Sequence, residues 1–403
     1  MEKKKLVVNA AICDARNVSE SVLESYESIQ INAANVLVSQ ESKELISKYN
    51  VNMNTAGVME APTDAELMVQ NGKYEITDDT VLSKPVILVV NGSLDIKTGS
   101  EEVLEKFISI IVNGTVSYPS DIKDKLPVMR VNGSTESYPS DAIRLKSKFI
   151  MDKIFIMRAK NAKYYARDKV IMADESLDVS SLVDSGVSFV TKKAIIAENI
   201  LEKALPLFDE EVEIQVIPAG YNYIGSELLT DVLIRKYGDS LYVDGDLRIN
   251  LDSENALNKL SKLKVKGTVF IANKLVDKFN EVDAEYTNIK IIKGFIIEDK
   301  ANVTIDKRKI NKHEDGITVL DCGMVYIKDD ISADEIEEKL QFMDCGLIFC
   351  HEDQKYAVEL VSEDVGHIDD SGKGKLAGIG EILKETGLFD KEAKVINAAV
   401  HVM

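Results

Sequence analysis

The sequence predicts a β/α repeat solenoid, in which short parallel strands alternate with short helices or turns about every 19–29 residues. Two observations lead to this fold class. A strand-like motif centred on one glycine recurs along the chain, and helix-start residues lie between several of its copies. The chain has 403 residues, of which 45% are hydrophobic, so it can bury a substantial core.

The repeated motif is an apolar alternation that ends in Val or Ile, passes through one small or polar residue and Gly, and then alternates again. Period-two alternation is typical of a strand with one buried face. The glycine permits close approach of the neighbouring strand, where a side chain would not fit. We call one such strand with its connection a rung. The motif glycines are Gly72, Gly92, Gly114, Gly133, Gly245, Gly267, Gly294, Gly323 and Gly346.

Helix starts are predicted between several of these strands. Thr63–Glu66 and Ser332–Glu335 have the spacing of a capping box, in which each side chain satisfies an amide of the first helical turn. Ser100 and Ser253 offer N-cap oxygens before acidic or polar first turns. One strand with one helical turn cannot bury its apolar face alone, so the units are expected to stack side by side around a continuous core.

The residue before the glycine belongs to a restricted set, namely Asn71, Asn91, Asn113, Asn132, Asp244, Cys322 and Cys345. This pattern resembles the leucine-rich repeat class of β/α solenoids, whose strand ends in an Asn or Cys that hydrogen-bonds the turn. Leu does not dominate here, and in two of the repeats the residue before the glycine is a lysine, Lys266 or Lys293. The strands are also similar to those of polymer-forming bacterial β-helix proteins, which lack intervening helices. These resemblances imply a shape and no function.

Composition and charge divide the chain into four expected segments. They are an N-terminal solenoid array (1–141), a basic insert with connecting repeats (142–211), a second array (212–350) and C-terminal repeats that end in a strand (351–403). Residues 46–57 align without gaps to 234–245, which suggests a tandem duplication; chance similarity among repeats is the alternative. The glycine-rich stretch 371–380 misses the spacing of a phosphate-binding loop and is expected to form a turn before a helix.

The two ends of the chain carry the same strand pattern, Val-Asn-Ala-Ala-Ile at 8–12 and Ile-Asn-Ala-Ala-Val at 396–400. Solenoids normally close with polar caps, because a bare end exposes unpaired backbone and apolar core. If both ends are bare, copies would stack head to tail into an open filament. The alternative is that both are ordinary covered strands. The predicted self-assembly interface consists of Val8, Asn9, Ala10, Ile12, Ile396, Asn397, Ala398 and Val400.

A basic stretch stands out within a protein of net charge −19. Residues 142–169 hold nine Lys and Arg against Asp152 and Asp168. They predict a contact surface for RNA, lipid or an acidic partner, including the acidic face of another copy. The alternative is that these cations pair with the chain's own carboxylates. The predicted basic contact patch comprises Arg144, Lys146, Lys148, Lys153, Arg158 and Lys160.

Metal-binding residue types gather only near the second array, at Cys322, Cys345, Cys350 and His351. Cys322 and Cys345 hold equivalent repeat positions and are expected on adjacent rungs, about 5 Å apart. The four residues match zinc ligands by type. Strand alternation turns Cys350 to the opposite face, however, which favours small buried side chains over a zinc site. We therefore predict no metal, cofactor or catalytic residue.

The first apolar run is too short for a signal peptide, and no segment approaches the length of a membrane span, so a cytoplasmic location is expected. The acidic charge and 6% aromatic content argue against nucleic-acid binding. We predict a non-enzymatic structural protein whose main partner is itself. One alternative is a leucine-rich-repeat-like module that binds another protein. A less favoured one is a β-solenoid carbohydrate-active enzyme with paired carboxylates.

Overall fold

A computed structural model describes residues 4–370 and 393–403. Mostly parallel strands form several small sheets and alternate with short helices, so the predicted alternation is confirmed. The described residues fall into two compact units, residues 4–144 with 393–403, and residues 145–370. The turn and helix expected around 371–380 lie outside the described residues.

The first sheet of the first unit contains the strands of both chain ends. Its strand order is β29-β1-β2-β3, all parallel. The strands are β1 (Lys4–Asp14), β2 (Tyr26–Val38), β3 (Val51–Glu60) and β29 (Ala393–Val402), and the connecting helices are α1 (Glu20–Glu24) and α2 (Gln40–Ile46). The last strand of the chain therefore completes the sheet that the first strand begins.

The second sheet of this unit follows directly in the chain, in the order β4-β5-β6-β7. The strands are β4 (Glu66–Ile76), β5 (Val86–Ile96), β6 (Phe107–Pro119) and β7 (Met129–Tyr138), with helix α3 (Glu101–Leu104) and a 3₁₀ turn at Ser120–Lys125. Ser100 occupies the predicted N-cap of α3, although its side chain makes no capping bond. The capping box predicted at Thr63–Glu66 is wrong, because Glu66 begins β4 and its amide donates to the Pro85 carbonyl (2.8 Å).

The two sheets pack face to face through alternating apolar side chains. Ile12 and Leu37 from the first sheet meet Ile87, Val89 and Ile111 from the second, and all five are buried. Each of these strands also buries residues against its own helices, so the strands read as nearly continuous apolar runs. The first unit is thus a sandwich of two four-stranded parallel sheets.

The second unit begins with short strands that include the predicted basic insert. The strand β8 (Ala142–Arg144) comes just before this unit in the chain, and the strand orders β9-β11-β13-β14 and β10-β12 lie within the unit. The elements are β9 (Lys148–Ile150), α4 (Lys153–Arg158), β10 (Lys163–Tyr165), β11 (Lys169–Met172), α5 (Ser180–Asp184), β12 (Ser188–Val190), β13 (Lys193–Ala197), α6 (Leu201–Ala204) and β14 (Glu213–Ile217), with 3₁₀ turns at Glu198–Ile200 and Leu205–Leu207. The basic segment therefore forms rungs of the same parallel type as its neighbours.

The next sheet of the second unit is built around one long strand. The order β15-β17-β19-β18-β16, with β20 also on β19, shows that β19 pairs with two strands of the preceding rung. The elements are β15 (Asn222–Ile224), β16 (Glu227–Leu228), α7 (Asp231–Tyr237), β17 (Ser240–Val243), β18 (Leu247–Ile249), α8 (Glu254–Leu257), β19 (Lys262–Ala272), α9 (Val276–Phe279) and β20 (Asp283–Ile292), with 3₁₀ turns at Leu251–Ser253 and Asn273–Leu275. Ser253 occupies the predicted N-cap of α8.

Two further sheets complete the second unit, β21-β23-β25-β27 and β22-β24-β26-β28. The elements are β21 (Phe295–Glu298), β22 (Asn302–Ile305), α10 (Lys307–Lys312), β23 (Ile317–Leu320), β24 (Met324–Ile327), α11 (Ala333–Lys339), β25 (Leu340–Met343), β26 (Leu347–Phe349), α12 (Lys355–Leu360), β27 (Ser362–Glu363) and β28 (His367–Asp369), with a 3₁₀ turn at Glu352–Gln354. The capping box predicted at Ser332–Glu335 is confirmed at the start of α11. Within 4–370 and 393–403, no helix combines the length and apolarity needed to cross a bilayer.

Candidate assembly interface

The two strands that the sequence singled out as chain ends lie side by side. The strand β1 pairs with β2 on one edge and with β29 on the other. Val8 is fully buried between them. Of the two possibilities for β1, a bare end or a covered strand, the structure has the covered strand, because both of its edges are occupied within one chain. The predicted interface residues are paired with each other, as Val8 with Ile396, Asn9 with Asn397, Ala10 with Ala398 and Ile12 with Val400.

Asparagines in register form a ladder across the first sheet. Asn9 Nδ2 donates to Asn397 Oδ1 (2.8 Å), and Asn32 Nδ2 donates to Asn9 Oδ1 (2.9 Å). Asn54 on β3 occupies the next register position beside Asn32. Identical amides on in-register parallel strands satisfy one another in this way, and such ladders are typical of stacked strands.

A second ladder crosses the other sheet with the same polarity. Asn91 donates to Asn71, Asn113 donates to Asn91, and Asn132 donates to Asn113, each over 2.9 Å. The resemblance to leucine-rich repeats implied an Asn that bonds its own turn. These asparagines instead bond the next rung, because all four strands are in register at this position.

The glycine beside each Asn is required by the approach of the preceding rung. A Cβ atom on Gly114 would lie 1.9 Å from the Gly92 carbonyl oxygen, and one on Gly133 would lie 2.0 Å from that of Gly114. Gly92 meets Gly72 in the same way at 2.2 Å. Gly72 lies on the outer strand β4, and no described atom is within 4 Å of the position of its Cβ. The space that every other rung fills is therefore open at β4.

The two edges of the second sheet differ in hydrogen-bonding character. At the β4 edge, Asn71 Oδ1 accepts from Asn91, so the group that this ladder bond does not use is the Asn71 amide NH₂. At the β7 edge, Asn132 Nδ2 donates to Asn113, so the group that this ladder bond does not use is the Asn132 carbonyl oxygen. Asn397 on β29 repeats the arrangement of Asn71, since it accepts from Asn9. The strands β4 and β29 are thus donor edges, and β7 is an acceptor edge.

The donor edges of the two sheets lie on the same side of the sandwich. Val69 on β4 and Val400 on β29 line one small cavity, which also extends between the inner strands of both sheets. On the opposite side, Arg130 on β7 reaches Asn35 Oδ1 (3.5 Å), and its guanidinium occupies the space beside Gly57 on β3. The sandwich therefore has one end formed by β4 and β29 and another formed by β7 and β3. We call these the donor end and the acceptor end.

A buried ion pair fixes the link between the two sheets. Arg16 Nε and Nη2 donate to the two carboxylate oxygens of Asp14 (2.9 and 2.7 Å). Arg16 Nη1 donates to the carbonyls of Pro62 and Ala65 (2.8 Å each) in the turn before β4. Planar bidentate geometry is the strong form of this contact. The pair thereby holds β4 in place over the first sheet.

The predicted basic contact patch contains two engaged residues, Arg144 and Lys148, and four exposed ones without an ion pair. Arg144 Nη1 donates to both oxygens of Asp95 (2.8 and 2.9 Å), and its guanidinium lies over the Tyr138 ring. Lys148 Nζ lies over the Tyr223 ring (5.6 Å), and its charge helps to lower the pKa of Asp244. The remaining patch residues are exposed and form no ion pair with any described residue. They are Lys146, Lys153, Arg158 and Lys160.

The cysteines whose residue types match zinc ligands are buried in the core. Cys322 and Cys345 lie on neighbouring rungs, and each thiol points at backbone carbonyls, Leu320 for the first (3.3 Å) and Met343 for the second (3.4 Å). Burial raises the pKa of both thiols and raises that of Cys350 to about 11. Protonated thiols are poor metal ligands. Among described residues, no group of three or more His, Cys, Asp and Glu is arranged to hold a metal ion.

Sequence reasoning missed the charged cluster around Asp244, which fills the Asn slot of its rung. Its carboxylate accepts from Lys169 Nζ (2.7 Å) and from the Tyr223 hydroxyl (2.8 Å). Burial acts to raise the pKa of Asp244, but these two hydrogen bonds, with the charges of Lys169 and Lys148, outweigh it and hold the pKa below its ordinary value. Lys169 is 75 residues away in the chain, so no local pattern indicates the pairing.

No protein-family model, curated protein or solved structure matches this chain. Its geometry is therefore the guide to its chemistry. The donor end and the acceptor end offer backbone pairing and amide ladders to a strand of matching pattern.

Proposed function

We propose that this chain is a structural protein of the β/α solenoid type that assembles from copies of itself. The donor end of one copy would lie against the acceptor end of the next. In that contact, Asn71 faces Asn132 and Asn397 faces Asn54, so both ladders continue across the junction. Because the two ends differ, the contact is heterologous, and repetition of it gives an open filament.

One observation carries this proposal, the open space beside Gly72. At Gly92, Gly114 and Gly133 the same space holds the carbonyl of the preceding rung. A following copy would place its Gly133 carbonyl beside Gly72 and fill the gap with the atom found at every internal junction. Sheet edges also carry rows of unpaired backbone groups, which a matching parallel strand satisfies. The strands β4 and β29 present about ten residues each for this pairing.

Net charge sets the conditions for assembly. Copies of charge −19 repel one another at low ionic strength, and salt shortens the reach of this repulsion to about 8 Å near 0.15 M. Hydrogen bonds between paired strand edges act at contact distance, so salt weakens them less than it weakens the repulsion between copies. We therefore expect filaments to lengthen as salt rises from about 0.01 to 0.15 M.

The test is Gly72→Ala, compared with Gly220→Ala as a matched control. Both glycines have positive φ (+91° and +82°), and neither position has a described atom within 4 Å of an added Cβ. The two substitutions therefore impose similar backbone strain on a single copy. Only the Cβ at position 72 would meet the carbonyl of a following copy, about 2 Å away if the junction repeats the internal rungs.

The measurement is filament length by negative-stain microscopy together with sedimentation velocity. Filaments of the unaltered chain and of Gly220→Ala, with loss of filaments in Gly72→Ala, support the proposal. Uniform single particles of the unaltered chain at every concentration and salt would contradict it and favour the alternative of a binding module. Filaments that persist in Gly72→Ala would exclude β4 as the contact.

A further inference from the structure

A second surface, on the second unit, combines free cations with exposed apolar side chains. It is centred on α4. Met157 is 85% exposed, and Ile154 is 63% exposed. Large apolar residues that are this exposed side by side mark contact sites. We call these two residues the apolar tips.

The apolar tips stand on a rigid base. Phe155 on the inner side of α4 packs edge-on against Phe149 (4.8 Å between ring centroids) and Tyr164 (5.1 Å). Phe189 extends this aromatic cluster beneath them. The inner face of the helix is thus fixed by the core, and its outer face remains available. Ile154, Met157 and Arg158 lie three and four positions apart, so they share this outer face.

The charge around the apolar tips is positive. Lys146, Lys153, Arg158 and Lys160 are exposed and form no ion pair with the described residues, although the charge of Lys153 also acts on Asp174 and lowers its pKa. Both carboxylates of the segment are engaged locally. Asp152 accepts from the Phe155 amide (2.7 Å) as the N-cap of α4, and Asp168 accepts from Ser147 and Arg167. The surface therefore complements an anionic partner, although the whole chain is acidic.

We propose that this surface docks on an anionic lipid bilayer, with the apolar tips in the interface and the cations among the headgroups. Side chains this exposed project from the surface, and a bilayer interface accepts projecting apolar groups without a matching groove. Lys and Arg have long apolar stems that suit the headgroup region. Distant carboxylates do not prevent contact, because salt screens charges beyond about 8 Å. The inference does not depend on self-assembly.

The experiment is flotation with vesicles of phosphatidylcholine, with or without about one third phosphatidylglycerol. We expect the protein to float with the anionic vesicles only. Met157→Gln with Ile154→Gln should weaken this binding about tenfold by removing the apolar contribution. Lys153→Glu with Arg158→Glu should weaken it by at least about thirtyfold, since each cation near an anionic surface strengthens binding about fivefold and each reversal also adds a repulsive charge.

Two matched variants control for general changes of the surface. Val232→Gln removes an apolar side chain that is 68% exposed on α7, and Lys203→Glu reverses an exposed cation on α6. Neither should alter flotation. Equal flotation with neutral vesicles, no flotation at all, or no effect of the α4 variants would each overturn the proposal. Capture by polyglutamate or RNA without flotation would assign the surface to a macromolecule of that class and would also overturn it.

Discussion

Gly114→Ala measures how strictly the rungs of the second sheet depend on a missing side chain. Gly114 has φ of +145°, a conformation open almost only to glycine. Its Cβ would lie 1.9 Å from the Gly92 carbonyl oxygen, whereas real Cβ contacts are longer than 3.0 Å. The two strands would have to separate by roughly 1 Å from their normal spacing of about 4.8 Å.

The cost has two parts. The backbone conformation costs an alanine about 1–3 kcal/mol. Separation of β5 from β6 weakens the hydrogen bonds beside the site, each of which contributes about 0.5–1.5 kcal/mol. One or two such bonds bring the expected loss in the free energy of unfolding to about 2–5 kcal/mol. Gly72→Ala, in the same ladder but without a neighbour, should lose only the backbone part.

Urea denaturation followed by far-ultraviolet circular dichroism measures both losses. It should be done at a protein concentration low enough to keep the chain monomeric, so that assembly does not add to stability. Equal losses in Gly114→Ala and Gly72→Ala would refute the argument from close approach. So would a loss below about 1 kcal/mol for Gly114→Ala, since the conformational strain alone exceeds that value.

The buried ion pair of Arg16, the carboxylate of Asp244 and the buried thiols each give a prediction. Arg16→Met should lower the free energy of unfolding by about 3–5 kcal/mol in urea denaturation, because it leaves Asp14 buried and unpaired; adding Asp14→Leu should recover part of this loss, and no recovery would contradict the pairing. Asp244→Asn should cost about 1–3 kcal/mol at pH 7. The pKa of Asp244 is lowered in the folded chain, so its stabilisation is present above the ordinary Asp value near 3.9 and is lost as the pH falls below that value. Plots of the free energy of unfolding against pH should therefore converge in acid for the mutant and the unaltered chain. Parallel plots would exclude the ionised Asp244 carboxylate as the origin of the difference. All four cysteines are buried, so a thiol reagent at pH 8 should label none of them, Cys345 included, until the chain unfolds; rapid labelling of the folded protein would contradict their burial.

The rung pattern was predictable because it is local. Period-two alternation around Gly92 and Gly114 specifies a strand with its close neighbour, and both positions fall in register as the repeat indicates. The Ser332–Glu335 cap could be read for the same reason, since both partners lie in one helical turn. At Thr63–Glu66 the same spacing misled, because the amide of Glu66 donates to the carbonyl of Pro85, just before β5, and a turn forms in place of a helix.

Contacts between distant residues could not be read from the pattern. The similarity of 8–12 to 396–400 was visible, yet similarity alone does not distinguish two strands at opposite ends from two neighbours in one sheet. The bond from Asn9 to Asn397 spans 388 residues. The pairing of Lys169 with Asp244 was hidden likewise. Burial of a charge becomes visible only when the partner across the fold is known.

Removing residues 393–403 tests whether the C-terminal strand is itself the assembly contact. The deletion uncovers β1, which exposes Val8 and leaves Asn9 without its acceptor on Asn397. The new edge carries the same Val-Asn-Ala-Ala pattern, so it remains a donor edge of the same register. We therefore expect the shortened chain to be less stable to urea but still able to form filaments, since the β4 edge and the acceptor end are unchanged. Complete loss of filaments in a chain that still folds would show that β29 has a role that β1 cannot replace, and that a continuing ladder is not sufficient for assembly.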